Sequence, residues 1–305
     1  MVVSETTLVG EVGNRVGTVW SLKTLTAFSA IAAFSAFSTN SFMKLQIKPD
    51  KNRQQLVHVT PESADWGYVS FSAYQLAPGE TLTVTEDAKE LCAIILAGIV
   101  SAKAGDQAWA ELGGRKTVFD DAAPYAIYLP PGTQLTVTAK IETELALGGA
   151  PAKGGFPVRL IEPASMRRLS RGKGTNTRHV CEVLPEDQPA ESLLIFEVKT
   201  PSSHSSSYPP HKHEVDNLPT ESLLEETYYH RINPPQGFVF QRVYTDSRDL
   251  DESMAIEDRD VVLVPRGYHP VVVPHGYESY YLNVMAGPKR IWRFQNDPAH
   301  AWIVG

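Results

Sequence analysis

Two histidines separated by one residue, in the segment SYPPHKHEV (207–215), are the first residues of this chain that indicate chemistry. Side chains two positions apart point to different sides of a helix, but on a strand they share one face, about 6–7 Å apart. Pro209 and Pro210 directly precede His211, and paired prolines favour extended backbone. His211 and His213 are therefore predicted to present two imidazoles on one face, as a metal site requires.

Further residues of metal-ligand type follow along the chain. Glu225 and Glu226 come after a polar stretch of about a dozen residues, and His269 follows the turn sequence Pro265-Arg266-Gly267. Three imidazoles and one carboxylate suit a first-row divalent ion and leave coordination positions open for water or substrate. The competing interpretation is a solvent-exposed HxH in a loop, which leaves the later Glu and His unexplained.

The histidines are concentrated in one part of the chain. Eight of the nine lie at or after His179, and only His58 precedes them. A metal site built from imidazoles therefore belongs to the second half of the protein.

The composition limits the class of protein. The chain has 305 residues, enough for one large or two ordinary domains, and a formal net charge of −7. This negative charge, without a long Lys/Arg run, disfavours nucleic acid as a partner. Cys92 and Cys181 are too few for a disulfide framework, so the sequence predicts a cytoplasmic protein. A homo-oligomer is compatible with this composition.

From Lys44 onward, short runs of β-branched residues alternate with turn pairs such as Pro78-Gly79, and no long amphipathic helix is indicated. The two halves also resemble each other. AIYLPPGTQLTV (126–137) and VVLVPRGYHPVV (261–272) each combine a strand, a Pro-x-Gly turn and a second strand. Many short strands at regular spacing predict an all-β protein made of two copies of one barrel.

The repeat predicts the domain boundaries. We expect a first barrel without metal ligands at 43–165, a crossover segment at 166–190 and a metal-binding barrel at 191–305. The segment RLIEPASMRRLSRGKGTNTRHV (159–180) is basic and contains glycine, but it lacks the lysine spacing of a phosphate-binding loop. Arg171 or Arg178 within it is an alternative partner for an anionic substrate.

The N-terminal segment LKTLTAFSAIAAFSAFSTNSF (22–42) is small and apolar, as a signal sequence would be. However, Ser and Thr interrupt it, and Glu5 and Glu11 stand where a signal is basic. A membrane span needs about 20 strongly apolar residues, which this segment does not provide. We therefore predict that residues 1–42 are a nonstructural extension and that the protein has no membrane partner.

An HxH pair, a Glu and a PxGxH turn on short strands are similar to the metal-binding motifs of the cupin superfamily. The longer segments YPPHKH (208–213), LEETYYHRINPPQGFVFQRVYT (224–245) and VVLVPRGYHPVVVPHGYESYYLNVMAGPKR (261–290) resemble the 5-deoxy-glucuronate isomerase (IolB) family, which is related to KduI. The resemblance runs from about residue 43 to the C-terminus and excludes residues 1–42. It implies a bicupin of two tandem jelly-roll barrels, the first usually without metal ligands.

The resemblance also implies an activity, the conversion of the sugar acid 5-deoxy-D-glucuronate to 5-dehydro-2-deoxy-D-gluconate in myo-inositol catabolism. In this aldose–ketose isomerisation a proton leaves C2 and arrives at C1, and the charge between them must be stabilised. One divalent ion would act as a Lewis acid while a nearby base moves the proton. Zinc, manganese, iron and nickel all fit these donors. A metal-assisted hydride shift is the alternative mechanism.

By position in the family motif, the implied ligands are His211, His213, Glu226 and His269. Glu226 is preferred to its neighbour Glu225 because the related ketol-isomerases place an aromatic residue two positions after the ligand, as Tyr228 is here. Glu221 is an outside candidate for the carboxylate.

The substrate carboxylate needs a cationic partner. Arg242 lies in the predicted strand FVFQRVYT (238–245), and its planar guanidinium matches a carboxylate through two hydrogen bonds. The alternative is that Arg242 faces solvent, since Gln241 and Arg242 must point in opposite directions. The candidate proton relays are Tyr229, His230 and Tyr281, with packing in the core as the alternative role. His275 is either a pocket-rim residue or a surface residue.

Two other classes of protein use a similar constellation. A cupin dioxygenase would hold iron with three histidines and a carboxylate, and its activity would depend on oxygen. A noncatalytic sugar-acid-binding cupin would bind the uronate without turnover, which the complete ligand set disfavours.

Overall fold

The computed structural model describes residues 44–304, which belong to one structural unit, Met43–Gly305. The predicted extension, residues 1–42, lies outside the described residues. Within residues 44–304, no helix combines the length and apolarity needed to cross a bilayer.

The first half consists almost entirely of strands. They are β1 (Gln46–Ile47), β2 (Gln55–Val59), β3 (Ser70–Leu76), β4 (Thr81–Val84), β5 (Lys89–Ala97), β6 (Ile99–Ala104), β7 (Gln107–Gly113), β8 (Tyr125–Leu129), β9 (Leu135–Ala139), β10 (Thr143–Pro151) and β11 (Arg159–Ile161). The single-turn helix α1 (Pro61–Ala64) begins at Thr60, whose hydroxyl accepts a hydrogen bond from the Ser63 amide in a capping box.

The second half follows the same plan. Its strands are β12 (Arg167–Arg171), β13 (Arg178–Leu184), β14 (Leu194–Thr200), β15 (Ser205–Ser206), β16 (His211–Lys212), β17 (Glu214–Asn217), β18 (Glu221–Leu223), β19 (Glu225–Asn233), β20 (Phe238–Tyr244), β21 (Asp251–Glu257), β22 (Val261–Val264), β23 (Val271–Val272), β24 (Glu278–Ala286) and β25 (Gln295–Asn296). Short 3-10 helices occupy Pro163–Ser165, Gly174–Asn176 and Pro298–Val304.

Four antiparallel sheets form two barrels with matching strand orders. The first barrel joins a six-stranded sheet, β11-β8-β5-β10-β3-β2, to a four-stranded sheet, β4-β9-β6-β7. The second joins a seven-stranded sheet, β1-β22-β19-β24-β14-β13-β12, to a four-stranded sheet, β15-β23-β20-β21. The order β8-β5-β10-β3-β2 thus recurs as β22-β19-β24-β14-β13. The predicted all-β class and the internal repeat are confirmed.

The edge strands are exchanged between the barrels. β1, which precedes the first barrel in the chain, pairs with β22 of the second, with Gln46 opposite Val262. β11, which follows the first barrel, pairs with β8 inside that barrel, with Leu160 opposite Ile127. Each large sheet is therefore completed by the strand that precedes the other barrel. The predicted boundary at residue 43 does not anticipate this exchange.

The predicted crossover, residues 166–190, is largely built into the second barrel. β12 and β13 pair with each other, and β13 continues onto β14, extending the seven-stranded sheet. β12 was interpreted as a linker because its outward positions are charged, which is common for an edge strand. Arg167, for example, lies on the exposed side and pairs with Glu182 of β13 at 2.6 Å.

Two apolar clusters form the core. One fills the first barrel with aliphatic side chains such as Leu76, Ile95 and Leu145. The other runs through the second barrel and the contact between the large sheets. This contact also holds a buried ion pair, in which Arg115 donates to both carboxylate oxygens of Glu197 at 2.8 and 3.0 Å. Tyr280 donates a further hydrogen bond to Glu197 at 2.7 Å.

Candidate metal centre

The HxH pair lies on extended backbone. His211 is in β16, opposite Asn296 of β25, and His213 follows directly. Their ring centroids are 6.3 Å apart, and both side chains are buried. The prolines before them thus deliver two imidazoles to the interior of the second barrel, as the spacing predicts.

The polar stretch after the HxH pair folds as a small hairpin of β17 and β18. Glu221 in β18 accepts a hydrogen bond from the Glu214 amide at 2.7 Å. Its carboxylate therefore closes the hairpin and does not point at the imidazoles. The hairpin accounts for the unusual length between the histidines and the next strand.

Alternation along β19 separates the two neighbouring glutamates. Glu225 faces the first barrel, where its carboxylate accepts hydrogen bonds from the amides of Gly67, Tyr68 and Val69 at 2.6, 2.7 and 3.1 Å. Glu226 points to the opposite face, into the second barrel. Only Glu226 reaches the histidines.

His269 is placed by the turn before it. Gly267 has a φ of +89°, and a Cβ there would lie 2.5 Å from the Tyr244 carbonyl oxygen, so only glycine fits. The turn brings the Gly267 carbonyl within 2.9 Å of the His269 Nδ1. His269 is fully buried, and its Nε2 points toward Glu226.

The three imidazoles lie close together, and Glu226 lies beside two of them. The Glu226 Oε2 lies 3.2 Å from the His213 Nε2 and 3.3 Å from the His269 Nε2. One ligand atom from each of His211, His213 and His269 lies within 4.8 Å of the others. Among residues 44–304, no other group of three or more His, Cys, Asp or Glu side chains is arranged to hold a metal ion.

The hydrogen bonds around the imidazoles fit a cation between them. The Nδ1 atoms of His213 and His269 face the carbonyls of Leu224 and Gly267, both at 2.9 Å, so each Nδ1 carries the proton. The His269 Nε2 lone pair then faces the Glu226 carboxylate at 3.3 Å, an arrangement that repels unless a cation lies between. The buried His269 Nε2 has no hydrogen-bond partner. These residues therefore suit a divalent metal ion.

Burial also keeps the imidazoles in the form that binds metal. It lowers the pKa of His211 to about 3 and that of His269 to about 3, so both rings are neutral near pH 7. Burial lowers the pKa of His213 as well, but the adjacent Glu226 outweighs it, so this pKa is raised above its ordinary value. Metal binding at the His213 Nε2 would therefore release the proton that this raised pKa retains.

A pocket opens beside these residues, with about 480 Å³ of empty space that includes the solvent at its mouth. His211 and Glu226 line it on the metal side. Its other lining residues are Arg171, Arg178, Val180, Phe196, Val198, Ser207, Tyr228, Tyr281, Asn283, Trp292 and Phe294. We call this space the barrel pocket.

Arg242 lies outside the barrel pocket, so the structure does not bring it together with the metal ligands. Its side chain is 44% exposed and makes two 2.7 Å hydrogen bonds to Asp251 on the outer face of the sheet. Gln241, its neighbour, points inward and meets the His230 Nε2 at 2.9 Å. The apolar outward residues Phe238 and Phe240 hid this alternation in the sequence.

The three candidate proton relays have different positions. Tyr281 lines the barrel pocket. Tyr229 faces the first barrel, away from the barrel pocket, and donates to Glu144 at 2.7 Å. His230 is on the inner face of β19 but does not line the barrel pocket, and burial lowers its pKa to about 4. His275 is exposed and belongs to the surface.

Several residues of the barrel pocket are not among those that the sequence predicts. Tyr228 and Ser207 line it, with hydroxyls 3.0 Å apart, and the Tyr281 hydroxyl is 3.4 Å from Ser207. Alternation from Glu226 identifies Tyr228, since both share one face of β19. Arg171 and Arg178, the alternative anion partners, also line this pocket. No sequence pattern indicates that Asn283 and Trp292 line a pocket.

Known proteins match this chain over most of its length. The KduI/IolB family matches residues 42–303. The 5-deoxy-glucuronate isomerase of Geobacillus kaustophilus is 51% identical over 249 residues, which are 82% of this chain and 90% of that protein. The protein of the same name from Shouchella clausii is 48% identical and covers 86% of this chain and 97% of its own.

Solved structures agree in fold. An IolB-like protein from Salmonella typhimurium LT2 superposes with a TM-score of 0.85 at 48% identity and covers 86% of this chain and all of its own. An oxalate decarboxylase of Bacillus subtilis shares the fold at 10% identity, with a TM-score of 0.58 over 83% of this chain and 79% of its own. The bicupin architecture, the barrel pocket and these relatives lead to one assignment. The chain belongs to the KduI/IolB family.

Proposed function

We propose that this protein is a metal-dependent isomerase that converts 5-deoxy-D-glucuronate to 5-dehydro-2-deoxy-D-gluconate. The observation that carries the proposal is the convergence of His211, His213 and His269, with Glu226 beside two of them, at the side of a partly apolar pocket. Relatives named for this isomerase activity are about half identical to the chain over nine-tenths or more of their length, which supports the same substrate.

The four ligands would hold one divalent ion. Zinc, manganese, iron and nickel suit these donors equally well. When bound, the ion supplies Lewis-acid polarisation of adjacent substrate oxygens. Its position beside the barrel pocket suits the C1 and C2 oxygens of an open-chain sugar acid.

Arg178 and Arg171 are the proposed partners of the substrate carboxylate. Arg178 donates only to the backbone and side-chain oxygens of Asn176, at 3.1 and 3.3 Å, and has no carboxylate partner among the described residues. Arg171 lies over the Trp292 ring at 5.4 Å and is 3.8 Å from Glu182. Burial lowers the pKa of Arg178, but a guanidinium remains charged at neutral pH. An anion is therefore the complementary group for this end of the barrel pocket.

Three hydroxyls face the barrel pocket from another side. Ser207 lies between Tyr228 and Tyr281, and burial raises the pKa of both tyrosines, so they stay protonated. They act as neutral donors to oxygens that gain negative charge during the reaction. Val180, Val198 and Phe196 supply apolar wall, which excludes water from the reacting carbons.

The test is a proton NMR time course with 5-deoxy-D-glucuronate under anaerobic conditions. We expect conversion to the ketose without oxygen, loss of conversion after chelation, and recovery when a divalent ion is restored. Conversion at full rate in metal-stripped protein would refute the metal dependence. No conversion by metal-loaded protein would refute the substrate assignment.

A further inference from the structure

Asn283 occupies the centre of the inner face of the seven-stranded sheet. In β24 it lies opposite Phe196 of β14 on one side and Tyr228 of β19 on the other. All three side chains line the barrel pocket. Asn283 is 5% exposed, and its Nδ2 is buried without a hydrogen-bond partner.

An unpaired buried amide weakens a fold, because the group gives up water and gains nothing in return. The neighbouring positions on this face carry aromatic side chains, which pack without that penalty. Asn283 therefore has no structural benefit that explains a polar side chain here. A partner that enters the barrel pocket would supply the missing hydrogen bond.

The surroundings of Asn283 indicate what kind of partner this is. Arg171 and Arg178 line the same pocket, and the buried Nε1 of Trp292 also lacks an acceptor. Hydrogen-bond donors thus dominate the wall away from the metal ligands. A ligand rich in acceptor oxygens, such as a polyhydroxy acid, complements this wall.

We propose that Asn283 is a specificity-determining residue that donates a hydrogen bond to a hydroxyl oxygen of the bound sugar acid. The proposal rests on the proposed function for the identity of that acid. It assigns the carbon chain of the sugar to the sheet face at Phe196 and Tyr228, between the two arginines and the metal ligands.

The probe is 2-deoxy-D-gluconate, an open-chain product analogue that has no aldehyde or ketone group and cannot isomerise. Its affinity for metal-loaded protein is measured by titration calorimetry for the wild type, Asn283→Leu and Asn283→Asp. Leu keeps the volume without the donor, and Asp keeps the shape but offers only acceptors near neutral pH. We expect both variants to bind roughly ten- to a hundredfold more weakly, with Asp the weaker of the two.

Thermal unfolding separates binding from structure. Asn283→Leu is expected to unfold at the wild-type temperature or above it, because it replaces an unpaired buried amide with an apolar group. The control is Thr200→Val, which removes a different buried, unpaired polar group, a hydroxyl that does not line the barrel pocket. It should bind the probe with wild-type affinity.

The outcomes distinguish this inference from the proposed function. Wild-type affinity in Asn283→Leu or Asn283→Asp overturns the role of Asn283, even if the enzyme isomerises its substrate. A lower unfolding temperature for ligand-free Asn283→Leu also overturns it, since the amide would then be structural. A wild type that binds no sugar acid and turns over no 5-deoxy-D-glucuronate overturns both proposals.

Discussion

At the scale of single residues, the decisive property in this protein is which face of a strand a side chain occupies. The types and spacing of His211, His213 and His269 were enough to predict a common site, because a local turn or an extended pair fixes each of them. The carboxylate could not be chosen from spacing alone. Glu225 and Glu226 differ only in the direction they face, and the direction of β19 depends on packing between the barrels.

Exchanging each glutamate for glutamine tests this assignment. Glu226→Gln should lose most of the roughly one equivalent of metal per chain, because the only negatively charged ligand of the four becomes neutral. Glu225→Gln should keep its metal but lose about 1–3 kcal/mol of stability, because three backbone amides then donate to a neutral acceptor. Elemental analysis and denaturant unfolding measure the two effects. Full metal occupancy in Glu226→Gln would show that Glu226 is not a metal ligand.

Arg178 and Arg242 provide a matched test and control for binding of the substrate carboxylate. Arg178→Ala should lower kcat/KM roughly 30- to 1000-fold, the equivalent of about 2–4 kcal/mol for a lost charge-assisted pair. Arg242→Ala should keep a kcat/KM near the wild-type value, because Arg242 lies outside the barrel pocket. Its exposed ion pair contributes only about 0–1 kcal/mol to stability. Steady-state kinetics on metal-loaded proteins gives both values. If Arg178→Ala matches the wild type, the carboxylate is bound elsewhere.

At the scale of elements, local sequence patterns predicted strands well where the residues were apolar and failed where a strand carried charges. β12 has the sequence RRLSR, and its basic residues suggested a linker, although it forms the edge of a seven-stranded sheet. β20 shows the converse error, since Phe238 and Phe240 face outward and concealed the outward position of Arg242. In both cases the side chains on the outer face gave the wrong signal.

A buried ion pair between Arg115 and Glu197 lies in the contact between β14 and the first barrel. Arg115→Met should destabilise the protein by about 3–5 kcal/mol, because it leaves the Glu197 carboxylate buried without its counter-charge. The double variant Arg115→Met/Glu197→Leu should recover most of that loss, since no unpaired charge remains. Urea unfolding of the metal-loaded proteins gives both values. A single variant as stable as the double variant would contradict this account.

At the scale of the whole molecule, the internal repeat was visible in the sequence and the exchange of edge strands was not. A strand of two residues, such as β1, has too little pattern to be assigned to a sheet from sequence. Its partner is also distant: the Gln46 side chain hydrogen-bonds to Asp260, 214 positions later. Such pairings are set by the assembled barrels.

Residues 1–42 are expected to be dispensable. The family match begins at residue 42, and the metal ligands and the barrel pocket all lie after it. A protein that begins at Met43 should keep its unfolding temperature and its kcat/KM. Loss of solubility or activity in this shortened protein, with the full-length protein active, would place a required contact in the N-terminal segment.

The exchanged edge strands make the protein equivalent to a fused dimer. Two copies of a single-barrel ancestor could exchange their first strands across a two-fold axis. Joining these copies end to end would then give the present connections, with β1 on the second barrel and β11 on the first. During synthesis β1 leaves the ribosome first, and its partner β22 emerges only after most of the chain. A chain cut ahead of β11 would leave each fragment holding the edge strand of the other, so the two fragments are complementary halves that should reassemble when they are produced together.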